Sequence, residues 1–189
     1  MNIGITISYI VGGILLISIL TLNNTVMKHS YQQTVEMSTG SQVDEVRRLI
    51  MHDMQFLAFG PSSDLLNFSD NHIRFRAQID GQNRVVSWHM PGNSYNGTNN
   101  PNDKVLRRQG PMDGKPGNTM TTYPVVRFHV EAFKDEKGEE PTTLKQEVRS
   151  ILIEVVVESP EAVGSHPDGS PRYSRSGWRK LFLPDNIMI

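Results

Sequence analysis

Hydrophobic and polar positions divide the chain into three stretches. Residues 3–22, IGITISYIVGGILLISILTL, contain no charged side chain. At about 1.5 Å of rise per residue, a helix of this length matches the ~30 Å hydrocarbon layer of a bilayer. A cleaved secretory signal would open on basic residues and close on a small-x-small cut site. This chain opens Met1-Asn2, and no Ala-x-Ala follows the apolar run. The pattern predicts a transmembrane anchor over residues 1–24. Within it Gly4, Ser8 and Gly12 recur every fourth residue and stack on one helix face, where another helix could approach closely.

A second helical signal follows. Val43, Val46, Ile50, Met54 and Leu57 are spaced by three and four, which marks one apolar stripe. Asp44, Arg47 and Arg48 fall on the opposite side at pairing distance. Residues 25–60 are therefore expected to continue the anchor as an amphipathic helix. Gly60-Pro61 should stop it, and Ser38-Thr39-Gly40-Ser41 should kink or break it. An unbroken rod over residues 3–59 would be roughly 85 Å long.

Beyond Pro61 the period becomes two. Residues 73–79 and 84–90 alternate around Asp80-Gly81, a hairpin signal. Residues 91–103 are rich in Asn, Gly and Pro and are expected to form a loop. Further strands are predicted at 104–109, at 125–133 with Val126, Phe128, Val130 and Ala132 on one side, and at 148–158. That last stretch, VRSILIEVVVE, is the most β-branched and should be central. A final strand is expected at 178–183, after a polar loop over 159–177. One long helix followed by five or six mostly antiparallel strands is an α+β layout. Residues 61–189 would form a β-rich domain with the amphipathic half-helix packed on one sheet face.

Composition adds mainly exclusions. With 37% hydrophobic and 21% charged residues, the chain can build a core. A formal charge of -1 offers no global field for nucleic acid. The cluster Arg172, Arg175, Arg179 and Lys180 fits a solvated approach to the last strand. Having no cysteine, the chain has no disulfide, thiolate metal site or cysteine nucleophile.

The six histidines, His29, His52, His72, His89, His129 and His166, form no metal-binding spacing. His52-Asp53 fits surface or partly buried packing, and His166-Pro167-Asp168-Gly169 fits a turn. Asp135, Glu136, Glu139 and Glu140 lack the spacing of a calcium loop and fit a solvated hairpin tip. Trp88 and Trp178 lie in strand patterns and are expected in the core. Asn96-Gly97-Thr98 matches a glycosylation sequon and equally a turn. No nucleophile elbow, P-loop or dinucleotide fingerprint occurs, so the expectation is a non-enzymatic chain without metal or cofactor.

The order of these parts resembles the pilin-like proteins, especially the minor pseudopilins of type II secretion and related type IV pilus systems. Beside the helix, the resemblance rests on Ile73-Arg74-Phe75 with Asp80-Gly81, and on Val105-Leu106-Arg107-Arg108. Val148-Arg149-Ser150-Ile151 and Leu183-Pro184-Asp185-Asn186 complete it. It implies a structural subunit of a filament or pseudopilus that assembles through its N-terminal helix. Its partners would be other pilin-like subunits and the lipid bilayer, with room for a secreted substrate.

The resemblance also implies a single-pass protein of the bacterial inner membrane, its domain in the periplasm or at the cell surface. Lys28, just after the span, points weakly the other way under the positive-inside trend. Prepilin cleavage would fall between Gly4 and Ile5. The chain departs from the family where Tyr9 replaces the usual glutamate and where Met1-Asn2-Ile3 lacks a basic residue. An atypical minor subunit and an uncleaved membrane relative both fit. The rival from another class is a membrane-anchored ligand-binding or sensor domain.

Overall fold

The computed structural model describes residues 3–57, 65–79, 82–112 and 115–183. Helix α1, Ile3–Met54, runs unbroken for 52 residues, about 78 Å. The break expected at Ser38-Thr39-Gly40-Ser41 does not occur, since all four residues are helical. Thr39 is buried, and its hydroxyl donates to the Val35 carbonyl at 2.8 Å, one turn back, without interrupting the helix. The helix ends at Met54. Phe56 and Leu57 then donate to the carbonyls of Asp53 and Met54, tightening the last turn. Gly60 and Pro61, the expected stop, lie outside the described residues.

The described residues form eight strands in two antiparallel sheets, against the five or six expected. The first sheet runs in chain order: β1 (Leu65–Ser69), β2 (His72–Ile79), β3 (Gln82–His89), β4 (Lys104–Met112) and β5 (Lys115–Val125). The β2–β3 hairpin is the one predicted, though its turn at Asp80-Gly81 is outside the described residues. The second sheet is β6 (Arg127–Phe133), β7 (Ser150–Ser165) and β8 (Pro171–Phe182), with β7 in the centre as expected.

Three segments depart from the expected pattern. β5 was not anticipated, since its polar, threonine-rich sequence shows no apolar face, yet it pairs with β4 along almost its whole length. The expected single strand over 125–133 is divided at Val126, where the chain passes from one sheet to the other and Val126 N–H donates to Val156 O at 2.8 Å. The supposed loop over 159–177 is largely the outer half of the β7–β8 hairpin, its bulges between Glu158 and Gly164. β5 and the outer halves of β7 and β8 are strands because of partners elsewhere in the fold and not because of their own patterning.

A continuous core joins the three layers. The helix contributes the predicted stripe of Val43, Val46, Ile50 and Met54, continued by Leu57 just past its end. The first sheet adds Ile73, Phe75, Val86, Trp88 and Leu106, and the second adds Val130, Ile151, Ile153, Val155 and Val157. α1 lies on β7 and β8. A fully buried residue such as Ile50, at 0% exposure, contributes about 1.5–3 kcal/mol.

Candidate functional site

Two features define what this molecule can do: a helix that leaves the domain, and the polar junction that holds its foot. Residues 3–31 of α1 are all exposed. They include Ile14, Leu15, Leu16, Ile17, Ile19 and Leu20, each more than half exposed. Soluble surfaces rarely present so large a contiguous apolar patch. α1 is long and apolar enough to cross a membrane, and no part of its most apolar window is covered by the rest of the chain.

The small-residue face expected from Gly4, Ser8 and Gly12 lies on this projecting half. Ser8 Oγ donates to the Gly4 carbonyl at 3.0 Å, so its hydroxyl is already satisfied within the helix. A Cβ placed on Gly12 would meet nothing within 4 Å, which leaves that face open. The Gly4–Ile5 bond lies in the first turn of α1.

Two contacts brace the helix where it enters the domain. Tyr31 Oη donates to Glu161 Oε2 at 3.2 Å, and Gln32 Nε2 donates to the Val163 carbonyl at 3.4 Å. The hydrogen bond to the Glu161 carboxylate is the main cause raising the Tyr31 pKa above its ordinary value. The outer half of the β7–β8 hairpin is thus a strut along the helix.

At the foot, Asp53 is wholly buried and joins three elements. Arg108 of β4 grips its carboxylate with both prongs, Nε to Oδ2 at 2.8 Å and Nη2 to Oδ1 at 2.7 Å. Trp88 of β3 donates its indole N–H to Oδ2 at 2.8 Å. Arg108 also donates to the Pro111 carbonyl at 3.0 Å and lies 6.0 Å from the Trp88 ring centre. Such a bidentate, charge-assisted pair sets geometry as well as energy. It locks the helix end to the first sheet, while the apolar stripe holds the second.

His52-Asp53 was expected to be ordinary packing, and the structure divides the two. His52 is half-exposed and rests edge-on against Phe56, whereas Asp53 is the centre of the junction. A signal was present. Asp53 lies three residues after Ile50 and four before Leu57, on the apolar stripe itself, and Arg108 shares strand parity with buried Leu106.

The other candidates fall apart as sites. In the basic cluster, Arg175 stands across from Glu158, Arg179 from Glu154 and Lys180 from Ile153, while Arg172 faces Gly164. The charges are strung along a strand and two are opposed by acids. Trp88 is buried and Trp178 half-buried against the core. His166 and Asp168 form the β7–β8 turn, where Asp168 accepts from Ser170 N–H and Oγ–H, bonds that lower its pKa.

Asp135 accepts backbone N–H bonds from Lys137, Glu139 and Glu140, which depress its pKa and close the turn on itself. No group of three or more His, Asp or Glu positioned for a metal occurs among the described residues. At Asn96-Gly97-Thr98 the Thr98 hydroxyl is bonded to Asp103 at 2.6 Å. That loop is pinned to β7 by Asn100, which donates to Ser159 O at 3.1 Å.

No family model, curated protein or solved structure matches this chain.

Proposed function

We propose that this chain is a non-enzymatic, pilin-like structural subunit, anchored by α1 and assembling with other subunits through the projecting half of that helix. One observation carries the reading. A single continuous helix is locked at one end into a β-rich domain and offers its whole apolar half, with a small-residue face, to the surroundings. A helix that served only as a tether would need no rigid junction such as Asp53–Arg108–Trp88. A subunit that transmits position from a helix bundle to a surface domain does. The family resemblance adds a bacterial inner-membrane location with the domain on the periplasmic or outer side. Tyr9, in place of the usual glutamate, fits a subunit that meets no neighbouring N-terminal amine, because a carboxylate in lipid is costly without a partner.

A second reading, an anchored ligand-binding or sensor domain, is favoured by one cleft of about 530 Å³, within the usual range for ligand sites. Phe68, Ser69, Asp70, Val130 and Thr142 are among the residues lining it, and it opens at the junction of β1 and β6.

Crosslinking tests the first reading. Ser8→Cys in this otherwise cysteine-free chain should give disulfide-linked dimers in native membranes. Adding Gly12→Leu should weaken helix association by roughly 1–2 kcal/mol, lowering the dimer fraction several-fold while insertion persists. Equal yields at equal expression would remove the packing face from the argument.

A further inference from the structure

Charge is partitioned far more sharply than the formal total of -1 conveys. The five strands of the first sheet carry Arg74, Arg76, Arg84, Lys104, Arg107, Arg108 and Lys115, and no Asp or Glu. Register sorts these residues by face. His72, His89 and Arg107 stand side by side across β2, β3 and β4, and Arg74 neighbours Ser87 and Gln109 in the adjacent row. Because successive residues alternate, this row set lies opposite the buried Ile73, Phe75, Trp88 and Leu106.

Arg74, Arg76 and Arg107 are exposed, and among the described residues none of the three forms an ion pair. The His72 and His89 rings meet edge to face at 5.1 Å. Like charges gathered on one face oppose folding unless something outside the face offsets them. Burial, His89 and Arg74, in that order, push the His72 pKa down, as expected in such a field.

Acid is concentrated elsewhere, in the turn between β6 and β7. Asp135 is occupied by backbone N–H groups, which holds the turn in shape. Glu136, Glu139 and Glu140 are exposed on it and form no ion pair among the described residues. Lys137 is the base that shares the turn, while neighbouring Lys134 is engaged by Glu147 at 3.1 Å.

Contacts tie both surfaces to the foot of the helix. Trp88 and Arg108, chain neighbours of His89 and Arg107, hold Asp53 at the foot of the helix. Gly138 of the acidic turn lies against Leu181, next to Phe182, which shares a cleft with Met51 and Met54 at that same foot. The roughly 30 helical residues from Leu22 to Asp53 put both surfaces about 45 Å beyond the apolar run. That is several Debye lengths, which removes the phosphates of the chain's own membrane as the partner. Copies standing side by side in one membrane would bring the two surfaces level.

We propose that the outer face of β2, β3 and β4, built on Arg74, Arg76 and Arg107, docks the Glu136/Glu139/Glu140 turn of a second copy. The contact is heterologous, so a joined pair keeps one free face on one copy and one free turn on the other, and assembly extends along a row. This inference rests on the assembly reading above and adds a domain contact to the helix contact.

Two crosslinks in full-length protein in native membranes separate them. Differently tagged chains carrying Ser87→Cys and Glu139→Cys, coexpressed, should form a mixed disulfide several-fold above either same-site disulfide. Arg74→Glu with Arg107→Glu in the Ser87→Cys chain should cut that product at least tenfold. Glu136→Lys with Glu140→Lys in the other chain should restore it. Both substituted arginines are exposed, so the core is untouched. A Ser8→Cys dimer without the mixed product overturns this contact and leaves helix assembly standing. Loss of both overturns the assembly reading, and with it this contact. Failure of the paired charge reversal to rescue, or Ser87→Cys products formed only with other proteins, excludes the second copy as the partner.

Discussion

Replacing Arg108 by Met tests whether the junction fixes helix to sheet. Asp53 is 0% exposed at its side chain and Arg108 3%, so neither group has water to fall back on. Arg108→Met removes the two short hydrogen bonds and the only cation gripping the carboxylate in the described structure. It leaves the Trp88 N–H at 2.8 Å and the His52 ring at 3.7 Å. Breaking a buried ion pair on one side costs about 3–5 kcal/mol, because the remaining charge stays buried without compensation.

Asp53→Leu should cost a similar amount for the same reason, stranding the guanidinium. The double variant strands neither charge. It should lie within about 2 kcal/mol of the parent, the residual loss coming from the Trp88 N–H, which no longer has its acceptor. The expected coupling is therefore at least ~4 kcal/mol, far beyond the few tenths seen for independent sites. Urea unfolding of the full-length chain in detergent micelles, followed by tryptophan fluorescence, measures all four corners of the cycle. Trp88 reports directly because it touches the carboxylate. A single-variant loss below about 1 kcal/mol, or a double variant as unstable as the two singles summed, would refute the lock.

Deleting residues 1–22 should release a domain that stays in the supernatant without detergent and unfolds cooperatively, since the core draws on α1 only from Thr39 onward. A truncated chain that still pellets with membranes would place the membrane contact elsewhere. A further expectation concerns pH. With the folded pKa of His72 below its ordinary 6.5, the unfolded state binds the proton more readily, so this contribution is full above pH 6.5 and is lost as pH falls through the folded pKa. His72→Gln should flatten that part of the acid response, read as urea midpoints at pH 7.5 and 5.0, and identical responses in both proteins would refute it.

The sequence by itself determined the parts whose physics is periodic and local. A run of twenty uncharged residues marked a helix long and apolar enough to cross a bilayer. The Val43–Val46–Ile50–Met54 spacing committed the second half of α1 to a core, alternation at 73–79 and 84–90 marked strands with one buried side, and the β-branched run at 148–158 marked a central one. Tertiary structure decided what depends on a partner distant in the chain. Ser/Thr-rich residues 38–41 stay helical where Thr39 is buried by the rest of the chain.

Polar residues 159–165 and 171–177 become strands because each supplies the other's ladder and α1 offers Tyr31 and Gln32 alongside. Asp53 and Arg108 are 55 residues apart, and although each sits at an inward position of its own element, nothing along the chain pairs one with the other. Only when β4 is laid beside β3 does Arg108 turn inward to meet Asp53. The cationic outer face arises the same way, since histidines and arginines scattered over residues 72–107 become neighbours through antiparallel register alone. Pattern along a chain records whether a residue is buried, but the identity of its partner is set by the closure of the fold.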